Sequence, residues 1–350
     1  MSRIRRLIVL ALTVVISTPL HAAPPALIEV QVGDETLQGM VFAHNDRVFW
    51  LQSQDGRMRS LPADGVHKFR KISPQFSGWS GSVVGDSLRR EFGKGFEVAG
   101  TRHYAVCAAS DQKARAYAEM FEDLYRTFHM YFSVRGFTIN EPEFPLIAIV
   151  FPDFDSFARY ARAERVDVPR TLRGYYMTSS NRIALYESAD NDTMIHEGTH
   201  QLAFNTGLHS RIGENPKWVV EGLATVFEAP GIRNSGGSGA AKMRINHERF
   251  IGFGNFSKSR YKPKSLESFL SGDELFQTSV FDAYSEAWAF SFFLIETRPR
   301  AYAEFLRTIA ARDPLRVYPA EDRVADFKHT ISKEIPLLEA EFLRFIAAIK

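Results

Sequence analysis

Residues 196–200 read His-Glu-Gly-Thr-His, and this stretch ties the chain to one local conformation. On an α-helix, positions four apart stack on the same face, one turn above the other. Both imidazoles then reach a single metal ion at about 2.0–2.1 Å. Glu197 follows the first histidine and projects beside the metal, where it can take a proton from a metal-bound water. The spacing is that of a zinc-hydrolase helix, with His196 and His200 as ligands and Glu197 as the base.

Helical context is the condition for this reading, and the flanks supply it. Asp190, Asn191 and Asp192 offer capping side chains and negative charge at the positive helix end. Gly207 can take the left-handed conformation that stops a helix. Met194, Ile195, Leu202, Ala203 and Phe204 give the apolar faces between them.

A lone histidine on an apolar helix is usually a hydrogen-bonded core residue, so a third ligand matters. Twenty residues separate His200 from Glu221, which lies in Trp218-Val219-Val220-Glu221-Gly222-Leu223-Ala224. Gly207, Gly213 and Pro216 make the intervening loop, and a second helix is expected from Lys217. Two helices joined this way present Glu221 opposite the histidines. Two His, one Glu and a water is a known catalytic zinc set. A pattern with Gly and a third His soon after the second histidine fails, because Ala203 and Thr206 hold those places. His209 and Glu214 are weaker candidates. The bland reading of Glu221 is an acid in a first helical turn, favoured by the dipole.

At these residues the chain resembles the gluzincins, of the peptidase-MA-like kind. His-Glu-x-x-His followed by Glu221-Gly222-Leu223-Ala224 carries the resemblance. More closely, it resembles secreted bacterial proteins of unknown function with this domain, over roughly residues 90–350. The matching stretches include Glu91–Val106, Tyr117–Phe137, Pro145–Asp153, Gly174–Tyr186, Asp192–Leu208, Trp218–Glu228 and Tyr284–Leu294. The resemblance implies a zinc metallopeptidase fold and leaves the substrate open. The Gly-x-Met-Glu-Asn motif of the aminopeptidase branch is missing from the chain, which argues against amino-terminal trimming. In resembling proteins a tyrosine stands at the head of a helix behind the metal. Tyr284 holds that place, either donating to an oxyanion or packing as a core ring beside Trp288 and Phe292.

The first 23 residues read as a secretory signal. Arg3, Arg5 and Arg6 precede the apolar run Leu7 to Ile16, too short to span a bilayer, and Ala22 or Ala23 offers a cleavage site. An uncleaved anchor is the alternative. Cys107 is the sole cysteine, so no lipid-anchoring cysteine stands near the cleavage site and no internal disulfide forms. It sits in an apolar stretch and reads as a buried thiol. Removing the three arginines turns 43 basic against 41 acidic residues into 40 against 41, a net charge of −1. Such a balance gives no nucleic-acid footprint. The expected location is the periplasm or the exterior, with no transmembrane segment in the mature chain.

Residues 26–72 read as a small β module. Strands are expected at Leu27–Val32, Leu37–Ala43, Val48–Gln52 and Arg57–Leu61, with turns at Gly33-Asp34, Asn45-Asp46 and Asp55-Gly56. The pattern resembles a small SH3-like barrel. Residues 73–89 read as a Ser/Gly linker, and 90–350 as the catalytic domain. There a strand is expected over Phe96–Ala108, a helix over Asp111–Ser133 capped by Ser110, a strand over Leu146–Phe151 and a helix from Asp153. A hairpin over Gly174–Tyr186 turns at Ser179–Asn181. Its second strand, if at a sheet edge, would pair with an extended peptide. Gly231–Gly239 reads as a mobile loop, and helices fill the rest.

The expected fold is thus α+β: a mostly helical zincin-like domain with a small sheet, behind a small SH3-like module. The expected function is a zinc-dependent metallopeptidase acting on a peptide or protein. The alternatives are a non-catalytic zinc protein that binds peptides or cell wall, and an amidase of wall peptides. Oligomeric state leaves no mark in the sequence.

Overall fold

A computed structural model describes residues 25–187, 190–235 and 241–349. The expected signal lies outside the described residues, as do positions 236–239 of the stretch expected as a mobile loop, whose first residues, 231–235, are helical instead.

Five antiparallel strands form the first sheet: β1 (Leu27–Val32), β2 (Glu35–His44), β3 (Val48–Gln52), β4 (Met58–Pro62) and β5 (Val66–Ser73). Their order is β4-β3-β2-β1-β5. Gly33 and Gly56 take φ of 57° and 83° in two of the turns, a region open to glycine. The sheet closes on Val30, Leu37, Phe49, Leu51 and Val66. Sequence reading missed β5 because only Val66 in it is buried, so no apolar alternation marks it.

The segment expected as a linker is partly helical. α1 (Gly81–Phe92) starts at Ser80, whose side chain accepts from the Val83 N–H. The Ser and Gly residues that read as flexible are therefore a helix cap. Val84 and Leu88 of α1 are buried against the second sheet.

That sheet comprises β6 (Glu97–Gly100), β7 (Tyr104–Ala108), β8 (Leu146–Phe151), β9 (Gly174–Met177) and β10 (Arg182–Tyr186), in the order β6-β7-β8-β10-β9. The strand expected over Phe96–Ala108 is a hairpin, β6 and β7, closed where Thr101 N–H donates to Tyr104 O at 2.9 Å. β7, β8 and β10 run parallel and are buried along their whole length, as sheets covered on both faces are. Their side chains alternate between two cores. Val106, Ala148, Val150, Ile183 and Leu185 face one side; Cys107, Ile147, Ile149 and Ala184 face the other. Burial pushes the Cys107 thiol up to about 12, consistent with an inert core residue.

The strand proposed for peptide pairing needs correction. β10 is flanked by β8 and β9, since its parallel register with β8 runs from Arg182↔Ile147 to Tyr186↔Phe151. The edge on this side of the sheet belongs to β9, the first strand of the hairpin.

Helices supply the remainder: α2 (Asp111–Ser133), α3 (Phe154–Ala163), α4 (Asn191–Asn205), α5 (Lys217–Phe227), α6 (Pro230–Ser235), α7 (His247–Ser259), α8 (Ser265–Ser271), α9 (Leu275–Thr278), α10 (Val280–Thr297), α11 (Pro299–Ala310), α12 (Ala320–Thr330) and α13 (Ile335–Ala348). The architecture is α+β. α10 is buried from Ala283 to Ile295 apart from Tyr284, and α5 and α7 pack on it. Among the described residues no helix is long and apolar enough to cross a membrane.

Two glycines set how closely the site helices pack. A Cβ at Gly198 of α4 would lie 2.5 Å from Leu124 Cδ2 of α2. One at Gly222 of α5 would lie 2.6 Å from the Ala287 carbonyl oxygen of α10. Backbone cannot move aside for a Cβ at Gly222, so α5 needs glycine beside Glu221; at Gly198 a Cβ would require the Leu124 side chain to shift.

Candidate metal centre

α4 forms as its flanks dictate. The Asp190 side chain accepts from the Thr193 N–H at 2.7 Å, and Gly207 takes φ of 88° just past the end. His196 and His200 then fall one turn apart. α5 starts at Lys217 after the loop and brings Glu221 across to them.

Three ligand atoms meet. His196 Nε2 and His200 Nε2 are 3.0 Å apart, and Glu221 Oε2 lies 3.3 Å from the first and 3.4 Å from the second. Atoms about 2.0–2.1 Å from a tetrahedral zinc sit about 3.3–3.4 Å from one another. Glu221 Oε2 is buried with no hydrogen-bond partner, an acceptor aimed between two imidazole nitrogens. The donor set therefore fits a metal ion, and His196, His200 and Glu221 can hold one.

A carboxylate absent from the sequence expectations orients the first ligand. Glu228 Oε1 is 2.8 Å from His196 Nδ1, and Glu228 Oε2 accepts from Asn246 Nδ2 at 2.7 Å. Nδ1–H donating to Glu228 leaves the Nε2 lone pair for the metal. The signal was present: Glu228 stands seven residues after Glu221, on the same helical face two turns on.

Charge follows the geometry. Burial opposes ionisation of Glu221, but His200 and His196 outweigh it and hold the carboxyl well below its usual range. For His196, burial opposes protonation, and Glu221 and Glu228 outweigh it upward.

Glu197 and Tyr284 complete the floor. Glu197 Oε2 accepts the Tyr176 backbone N–H of β9 at 2.8 Å. The Tyr284 ring stacks on His196 with centroids 6.2 Å apart. Burial raises the Tyr284 hydroxyl above its ordinary range, and the charges of Glu221 and then Glu197 add to this, so it stays protonated. His196, Glu197 and Tyr284 open onto one cavity of about 680 Å³, also lined by Arg173, Glu228 and Arg249.

The other two candidates stand apart. His209 is buried, with Nδ1 against Leu208 O at 2.9 Å, and burial followed by the His200 charge lowers it to about 3. Glu214 accepts from the Tyr318 N–H at 2.9 Å, outside the ligand cluster. A polar layer invisible to sequence reading lies beneath the hairpin: Tyr176 Oη donates to Asn181 Oδ1 at 2.8 Å, and Asn181 Nδ2 to Asn205 Oδ1 at 2.9 Å.

The fold and site define an α+β protein with a two-histidine, one-carboxylate cluster that could hold a metal ion, beside a half-buried acid. Residues 190–316 match the model of a family described as a protein of unknown function (DUF1570). That span contains every residue of the centre: His196, Glu197, His200, Glu221, Glu228 and Tyr284. No curated protein matches the chain.

Proposed function

We propose that this chain is an exported zinc-dependent metallopeptidase. The supporting observation is the triangle of His196 Nε2, His200 Nε2 and Glu221 Oε2, whose edges of 3.0, 3.3 and 3.4 Å suit one tetrahedral ion. Zinc held there would supply Lewis acidity and bring the pKa of a water toward about 7. Glu197, beside that triangle, takes the water's proton as the oxygen attacks a peptide carbonyl. It then passes the proton to the leaving amine. Tyr284 Oη donates to the developing oxyanion. Glu228 keeps His196 in the ligating tautomer, and the Tyr176 N–H holds the Glu197 carboxylate in place. The gluzincin resemblance and the signal-like first 23 residues support the same reading, with the SH3-like module as an appendage of the enzyme.

Wall-peptide amidase activity uses the same chemistry. A non-catalytic binder would have no use for an acid held at Glu197. A peptide-library digest read by mass spectrometry tests the proposal. The zinc-loaded wild type should yield discrete products that Glu197→Gln does not. Identical product spectra from both proteins would refute it.

A further inference from the structure

We propose that Arg249 is an anion-binding residue of the metal-facing cavity, and that its ligand is a carboxylate carried by the peptide. The peptide as carrier rests on the function proposed above; the anion site rests on geometry alone.

Arg249 lies in the first turn of α7, where its N–H donates to Asn246 Oδ1 at 3.3 Å. Its guanidinium sits 5.5 Å from the centre of the Tyr284 ring and 5.7 Å from that of Phe281. Those rings are three residues apart on α10, so they share a face and hold the guanidinium between them. The side chain is only 18% exposed, and Nε is buried with no hydrogen-bond partner.

Other buried arginines of the chain are differently placed. Arg182 grips Glu91 through two bonds of 2.6 and 2.8 Å, and Arg244 grips Glu296 at 2.5 and 3.1 Å. For Arg249 the nearest carboxylate oxygen, Glu228 Oε2, is 3.9 Å away. Glu228 cannot turn to it without releasing His196 and Asn246, which hold both its oxygens. Four other acids line the cavity, Asp190, Asp192, Glu197 and Glu248. Asp190 caps α4, Glu197 accepts from Tyr176, and the one ion pair Arg249 makes among the described residues is the 3.9 Å approach to Glu228. A largely buried guanidinium without a hydrogen-bonded counter-ion is costly. Its planar fork matches a carboxylate through two parallel bonds.

Position narrows the ligand. The Tyr284 ring stacks on His196, with centroids 6.2 Å apart, and also lies against the Arg249 guanidinium, 5.5 Å from the ring centre. A carboxylate on Arg249 therefore shares the Tyr284 ring with the His196 imidazole and belongs to a residue close to the bond being cut. A chain-terminal carboxylate and an Asp or Glu side chain both meet this requirement.

The test uses the full chain carrying Glu197→Gln, loaded with zinc and titrated with three synthetic peptide pools of matched sequence. One ends in a free carboxylate. The second ends in an amide. In the third, also amidated, Asn and Gln replace Asp and Glu. A carboxylate-bearing pool should bind about tenfold or more tightly than its neutral counterpart, the discrimination expected of a charge-assisted pair. Preference for the first pool over the second assigns a terminal carboxylate; preference for the second over the third assigns a side chain. Arg249→Gln should bring the pools to parity and Arg249→Lys should keep part of the preference, both with zinc content unchanged. Equal binding of all pools, no binding of any, or a preference that survives Arg249→Gln overturns the proposal. Hydrolysis of the same pools by the wild type separates the two readings. Cleavage without carboxylate preference removes only the anion site. Arg249-dependent binding without cleavage removes only the peptidase.

Discussion

The Tyr176 backbone N–H donates to Glu197 Oε2 at 2.8 Å, joining the β9 edge of the second sheet to the helix that carries both histidines. The bond fixes an acid that would otherwise be one rotamer among several on α4. It also connects the first sheet to the site. Met58 N–H of β4 donates to Ser179 O in the β9–β10 turn at 2.7 Å, three residues from Tyr176. The N-terminal module thus braces the hairpin that holds Glu197, a closer relation than a flexible tether would give.

In the metal centre proposed above, Glu228 would act on the ion through His196, whose Nδ1 is 2.8 Å from Glu228 Oε1. Glu228→Gln keeps the shape but weakens the acceptor for Nδ1–H. Zinc affinity should fall about 10–100-fold, as for other partners of metal-bound histidines. Competition against a chromophoric chelator measures this, and unchanged affinity would assign Glu228 a packing role only.

How far the sequence carried this account varies by element. The His196–His200 pair, the cap at Asp190 and the start of α5 at Lys217 are local facts, set by side-chain spacing and capping chemistry, and the structure keeps them. The spacing of Glu228 from Glu221 put it on the right face of α5, but its partner, His196, depends on how α5 crosses α4. β5 was hidden by a solvated face, and α1 by a Ser/Gly run that reads equally as linker or cap. The sheet order, which puts β9 rather than β10 at the edge, is a long-range pairing that no local pattern encodes.

Glu91 anchors β10, the strand leading into α4. Arg182 of β10 is 5% exposed and pairs with it at 2.6 Å. Burial opposes ionisation of Glu91, yet Arg182 outweighs it and lowers the carboxyl below its ordinary 4.5. A depressed carboxyl stabilises the fold fully above its unfolded value and loses that contribution as pH falls through the folded one. Arg182 is buried but Glu91 is 35% exposed, so solvent screens the pair and Glu91→Gln should cost about 1 kcal/mol at pH 7. The deficit should shrink as the wild type is taken below 4.5. Urea denaturation at neutral and acid pH checks both size and sign.

Tyr284→Phe removes one oxygen and keeps the ring on His196. If that hydroxyl meets the oxyanion, the turnover number should drop about 10²–10³-fold, with zinc content and the Michaelis constant nearly unchanged. A purely structural hydroxyl gives a different signature: stability lower by about 1–3 kcal/mol, with the folded fraction fully active. Turnover and thermal unfolding of this one variant distinguish them.

The most direct test of the account is zinc binding by Glu221→Ala beside the wild type, using the chelated full chain and a calibrated zinc buffer. The wild type should bind one zinc per chain. Glu221→Ala should lose more affinity than the about 10–100-fold expected for Glu228→Gln, because it removes one corner of the triangle rather than a support behind it. One zinc bound equally tightly by both proteins, or none by the wild type, would contradict the assignment of His196, His200 and Glu221 as a metal centre.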